Sequence, residues 1–319
     1  MSESVQKEQE NSQKIPEVRH STSRKFFHVL GVVFSILGIV MLLFRVVGSD
    51  RVIFTEPLIW MPVLAYIVFL PFAFLIIGWK QKIKWLFAVY TLFLLNLYLE
   101  QPNLLSTNES VEQGDGDLQL IMWNTMSHNR GKRTVLEGFQ EYDSDFLFLL
   151  EGTYSKRPPS FLTEELSSDY QWYSTHHMVI ASKHPVSESK ELDFEYRLRV
   201  FEALATITNS ETEQELWLIL VDMPSPPRPD TRECFEELQN YLNEKKGTAV
   251  IVGDFNTPRS SALLNHTFDQ YRDAYLEASD QRWLASFPDS WPMFQIDHTF
   301  MTRDLHPTSA KLIEGEGSD

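Results

Sequence analysis

Cysteine is nearly absent from this chain of 319 residues: Cys234 is the only one. A single thiol excludes an intramolecular disulfide and any zinc site built on cysteines, and it leaves the redox compartment open. Within RECFEELQNYL it reads as an ordinary helix residue. Basic residues are scarce as well, 28 Lys+Arg against 44 Asp+Glu, for a formal net charge of −16. The deficit is uneven: residues 1–99 hold 10 basic and 6 acidic residues, and the remainder holds 18 and 38. Polyanion binding needs Lys and Arg to neutralise phosphates. Beyond short runs such as Arg130–Arg133 no basic cluster exists, so nucleic acid is a poor candidate partner. Internal repeats are absent too.

Long apolar runs, by contrast, crowd the first third. Phe26–Phe44 is apolar apart from His28 and Ser35. At ~1.5 Å per residue it reaches roughly 28 Å, close to the thickness of a hydrocarbon core. Pro57–Trp79 is a second run and Ile83–Leu99 a third, the last interrupted by Lys84 and Asn96. Three membrane helices over 24–99 are expected, with the lipid bilayer as a partner. The polar lead of the first run and its length argue for a retained anchor, not a cleaved signal. Arg24 and Lys25 precede the first run, and Lys80, Lys82 and Lys84 separate the second from the third. Positive residues favour the cytoplasmic side, although Arg45 and Arg51 in the first connection weaken the bias. With three spans, everything after Leu99 falls outside the cytoplasm; if the third run does not span, the prediction inverts. Residues 1–23 are polar and mixed in charge and read as a disordered cytoplasmic tail. Residues 100–117 read as a polar linker, and a folded domain begins near Leu118.

From there the pattern alternates between strands and helices. Strands are expected at Leu118–Trp123, Phe146–Leu150, His177–Ala181, Phe201–Thr208, Leu216–Val221, Ala249–Val252 and Phe294–Met301. Helices are expected at Thr134–Gln140, Phe161–Leu166 and Thr231–Leu242. Adjacent antiparallel strands mixed with helices point to a two-sheet α/β sandwich.

Four of these strands end in, or contain, a carboxylate or carboxamide. Asn124 follows LQLIMW, Glu151 follows DFLFLL, Asp254 and Asn256 follow AVIVG, and Asp297 lies in FQIDHTF. Alone, GDFN reads as a strand running into an Asx turn, where Asp and Asn bond their own backbone. Together, groups at strand ends can share one rim of a sheet. Such oxygen ligands suit a hard divalent cation, Mg²⁺ or Mn²⁺, held by few carboxylates and several waters. They do not suit tetrahedral zinc.

LQLIMWN, DFLFLLE, VIASKHPV, VIVGDFNTP and FQIDHTFMT, in that order, resemble the successive motifs of the endonuclease/exonuclease/phosphatase superfamily over about residues 118–319. The apolar first third makes the whole similar to bacterial glycopeptide-resistance membrane proteins of the cell envelope. The resemblance implies an α/β fold, a four-layer sandwich of two mixed β-sheets flanked by helices, preceded by three transmembrane helices. It implies a metal-dependent hydrolase of phosphate esters, small or lipid-linked, anchored in the bacterial plasma membrane with its domain outside the cytoplasm. Glu151 would be the principal Mg²⁺ ligand, with Asn124 beside it on metal or phosphate. Asp254 would orient or deprotonate the attacking water, Asn256 would bond the phosphate, and Asp297 would stand at the metal edge. An extracytoplasmic nuclease and an inactive binding domain of the same fold are the alternatives.

Two departures bear on activity. A histidine is expected after the strand LWLILV, where Asp222 and Met223 stand instead; an ionised carboxylate accepts hydrogen bonds and cannot donate one. A second histidine is expected after a terminal Ser-Asp, and Ser318-Asp319 ends the sequence one residue short of it. Two readings follow: a sequence that stops short, together with its final strand, or a natural terminus and a crippled site. Among the other histidines, His298 follows Asp297 on a strand and so points to the opposite face. His176, His177 and His184 are expected to be structural or solvent-facing. Arg228 and Arg232, at the start of a helix, are candidates for holding phosphate.

Overall fold

The computed structural model describes Val29 and residues 117–313, apart from 126–131, 143, 153–155, 167, 209–211, 226–229, 282–283 and 288–293. Apart from Val29 and Asp117, the tail, the three apolar runs and the linker expected over 1–117 lie outside the described residues. Among the described residues no helix is long and apolar enough to cross a membrane.

Ten strands and five helices follow one another among the described residues. They are β1 (Leu120–Asn124), α1 (Lys132–Glu141), β2 (Phe146–Leu150), α2 (Ser160–Glu165), β3 (Gln171–Ser174), β4 (Met178–Ser182), β5 (Val186–Asp193), β6 (Arg199–Thr208) and β7 (Glu213–Asp222). Then come α3 (Thr231–Glu244), β8 (Thr248–Asp254), α4 (Ala262–Thr267), β9 (Arg272–Asp273), α5 (Ala274–Ala278) and β10 (Asp297–Met301). The strands form a four-stranded sheet, β1-β2-β4-β3, and a six-stranded sheet, β5-β6-β7-β8-β10-β9. Both are mixed: β1–β2 and β7–β8 pair parallel, and the other pairs are antiparallel.

Side chains alternate between the faces of a strand, and here both faces are covered. Phe146, Phe148 and Leu150 of β2 meet Leu216, Leu218 and Leu220 of β7 and Val250 and Val252 of β8 between the two sheets. Leu147 and Leu149 point the other way, onto Val135 and Phe139 of α1 and Leu162 of α2. Behind the large sheet, Ile219, Val221, Ala249 and Ile251 pack on Phe235, Leu238 and Leu242 of α3. The layers run helix, sheet, sheet, helix. This explains why β2 reads FLFLL with no polar position: a strand buried on both faces loses its alternation.

Several strands differ from expectation. The last strand starts at Asp297, because Phe294 makes only an isolated bridge to Phe287. β3 and β5 were not expected. β5 is an edge strand, VSESKELD, exposed along most of its length; charged side chains there discourage pairing with another chain, and they also erase the apolar signal of a strand.

Candidate functional site

The parity that buries the inter-sheet core also builds the site. Phe201, Leu220 and Val252 face the small sheet. Two residues from each, at one end of the sheet, stand Arg199, Asp222 and Asp254. Register aligns them: Arg199 pairs with Asp222, Asp222 with Asp254, and Asp254 with Asp297 on β10. With Asp193, which pairs with Arg199 from β5, five charged residues thus lie abreast on five adjacent strands where the inter-sheet core gives out.

The small sheet meets this row from across the gap. Asn124, two residues past Met122, donates from Nδ2 to Asp254 Oδ2 at 3.1 Å. Asp254 Oδ1 accepts from the Asn256 backbone N–H at 2.7 Å, and Asn256 Nδ2 donates to the Met223 carbonyl at 2.8 Å. Asp254 is therefore fixed from two sides and only 4% exposed. Asn256 adopts a left-handed φ of 45°, which asparagine tolerates better than most residues. Gly253 is needed just before: a Cβ there would stand 2.0 Å from the Val221 carbonyl oxygen.

Glu151, at the end of β2, has a φ of 52°, unusual for a residue other than glycine. Its carbonyl accepts from Thr125 Oγ1 at 3.0 Å, and the same hydroxyl lies 3.2 Å from the Leu150 carbonyl. The next amide, Gly152 N–H, donates to the His177 carbonyl at 3.3 Å. Such positive-φ residues persist only where neighbours hold them, commonly at sites of function. Glu151 interacts electrostatically with both Asp222 and His177.

Asp222 is strongly perturbed. Burial pushes its carboxyl up to about 6, against the opposing pull of Arg199, and Glu151 adds to the rise. Arg199 Nη1 donates to Asp222 Oδ2 at 3.0 Å. Burial first, then Arg199 and His176, hold the His177 imidazole below its ordinary value. His298 lies apart from this chemistry. It is 1% exposed between Phe255 and Phe300, and its Nε2–H donates to the Thr257 carbonyl at 3.0 Å. Burial lowers its pKa to about 3, so it stays neutral.

The structure thus gathers Asn124, Glu151, Asp222, Asp254, Asn256 and Asp297. Arg228 lies outside the described residues. Arg232 sits in the first turn of α3 and makes no hydrogen bond to this group among the described residues. His177, expected to be structural or solvent-facing, stands beside Glu151 and Arg199. Arg199 itself gives little sign in the sequence; its one signal is a lone cation opening the apolar strand RVFEALA. Thr125, fully buried, gives no sign there of its place as the clamp on Glu151.

The chain belongs to the Endonuclease/Exonuclease/phosphatase family, whose sequence model matches residues 123–319. Among solved structures it is similar to a humanized TDP2 of D. rerio, at 17% identity and a TM-score of 0.47, covering 60% of this chain and 86% of that one. It is also similar to a mannosyl-6-phosphatase of Bacteroides thetaiotaomicron, at 15% identity and a TM-score of 0.46, covering 60% and 87%. A functionally unknown protein of Enterococcus faecalis V583 matches at 10% identity and a TM-score of 0.48, covering 58% and 87%. No curated protein sequence matches the chain.

Members of this family generally use divalent metals. Among the described residues no three His, Cys, Asp or Glu side chains converge into a ready-made cage. Mg²⁺ asks for less, one or two carboxylates with waters completing the shell. Among the described residues the carboxylates at this rim outnumber the guanidinium of Arg199, and the excess of negative charge fits a divalent cation. Glu151 and Asp297, with Asn124 beside them, are the residues that would hold it.

Proposed function

We propose that this protein is a membrane-anchored, metal-dependent phosphoesterase whose hydrolase domain acts outside the cytoplasm on small or lipid-linked phosphate esters. The observation that carries this reading is the registered row of Asp222, Asp254 and Asp297 facing Glu151 and Asn124 across the inter-sheet gap. A divalent cation, Mg²⁺ or Mn²⁺, would polarise the phosphoryl oxygen and offset charge in the transition state. Asp254 orients the attacking water: both its oxygens are held by donors, and a fixed carboxylate beside the water accepts its proton or its hydrogen bond. Asn256 keeps the turn after β8 closed, which sets the angle of Asp254. The scarcity of basic residues favours a small or lipid-linked ester over DNA. The apolar runs of the first third favour a bacterial plasma-membrane anchor of the glycopeptide-resistance type.

The test is hydrolysis of a generic phosphodiester and a phosphomonoester by the full chain in detergent, with Mg²⁺ or Mn²⁺. Glu151→Gln and Asp254→Asn are expected to abolish it. Absence of hydrolysis with either metal would leave an inactive binding domain; faster cleavage of plasmid DNA than of lipid phosphates would favour a nuclease. Reporter fusions after Leu99 test the side of the membrane, and a cytoplasmic signal sinks the extracytoplasmic placement.

A further inference from the structure

We infer that Arg199 is the side chain that grips the substrate's phosphoryl oxygens, held in place for that purpose by Asp222; this rests on the phosphoesterase reading. An anion entering the rim meets Glu151, Asp222, Asp254 and Asp297, so it needs fixed positive charge besides any metal. Arg199 is the cation in the registered row. Its placement is set by strand pairing with Asp193 on one side and Asp222 on the other, and by one hydrogen bond, Nη1 to Asp222 Oδ2, at 3.0 Å.

The manner of holding matters. Arg259, on the loop after β8, is only 5% exposed. Its whole fork is used: Nε donates to Gln295 Oε1, and Nη1 and Nη2 both reach Asp273. That is a structural arginine. The Arg199 side chain is 38% exposed, and the Asp222 side chain that holds it 16%. Among the described residues Asp222 is its only hydrogen-bond partner, which leaves further N–H groups of a planar fork to face the rim. A guanidinium anchored at one corner and open at the others matches the oxygens of a phosphoryl group, which it binds through paired N–H donors. The missing donor at Asp222 is then not a defect. The carboxylate passes the donor role to the next strand.

The test uses the full chain in detergent and needs no turnover. Inorganic phosphate is titrated calorimetrically into the Mg²⁺-supplemented protein, and Mg²⁺ is titrated separately without phosphate. Arg199→Gln is expected to weaken phosphate at least about tenfold, the scale of one lost charge-assisted hydrogen bond. Mg²⁺ affinity should stay equal or tighten, because a neighbouring positive charge has gone. Arg199→Lys, which keeps the charge and loses the fork, should fall between wild type and Arg199→Gln for phosphate with Mg²⁺ unchanged. Unchanged phosphate affinity in Arg199→Gln overturns the inference. So does a parallel loss of phosphate and Mg²⁺ in both variants, which marks a structural role, and so does a wild type that binds no phosphate. Hydrolysis by the wild type decides the phosphoesterase reading separately, since the titrations give their answer with or without it.

Discussion

Replacing Asp222 by asparagine should stabilise the metal-free protein at alkaline pH and do almost nothing at acid pH. The folded carboxyl sits at about 6 against an ordinary 3.8. A carboxyl raised by folding supports the fold most below its unfolded pKa, and that support is lost as pH climbs through the folded value. Between pH 4 and pH 6, therefore, wild type forfeits stability at this position. At ~1.36 kcal/mol for each pH unit between the two values, the loss at pH 8 is about 3 kcal/mol. Asparagine resembles the neutral carboxyl and still offers Arg199 an acceptor. For a domain of this size ~1 kcal/mol moves the melting midpoint by about 2–4 °C, so the variant should melt roughly 6–12 °C higher at pH 8. The assay is tryptophan fluorescence on heating, in EDTA, at pH 4 and pH 8. Equal gains at both pH values, or a variant less stable at pH 8, would refute the reasoning that burial of ionised Asp222 is costly.

Further expectations concern the frame around the row. Gly253→Ala drives a Cβ against the Val221 carbonyl 2.0 Å away, and should cost about 1–3 kcal/mol in urea denaturation, the range of overpacked interiors. It should also lower hydrolysis by shifting Asp254. Arg259→Ala leaves the Asp273 carboxylate without its bidentate partner, a loss of about 3–5 kcal/mol measured the same way. Asn124→Ala strips one donor from buried Asp254; it should cost about 1–3 kcal/mol and reduce hydrolysis more than it reduces stability. Glu151→Gln should abolish the rise in melting midpoint that Mg²⁺ gives the wild type, with little effect on the midpoint in EDTA.

Much of this was legible where a strand is buried on both faces or a helix has one apolar stripe. FLFLL, AVIVG and the Phe235, Leu238, Leu242 spacing each declared their element, because burial dictates composition there. β5 escaped because an edge strand with charges along it has no apolar face to show. Of the other elements that escaped, β9 is only 2 residues long and has no period to show. For the site, Asp254, Asn256, Glu151, Asn124 and Asp297 stood out as polar groups terminating apolar runs. Asp222 was visible only as a departure from the expected histidine. Arg199 was invisible as a partner, since its meaning comes from the register between β6 and β7, and pairing between strands leaves no trace in either strand alone.

The bond between Asn124 and Asp254 joins residues 130 positions apart. On a ribosome adding about 5–20 residues per second, the first waits roughly 7–26 s for the second to be made. Until then the newborn small sheet has only β5, β6 and β7 of the large sheet to cover Phe146, Phe148 and Leu150, and no aspartate for Asn124 to hold. The reactive centre is consequently assembled late, and a chain released before residue 254 carries Asn124, Glu151 and Asp222 but neither Asp254 nor Asp297.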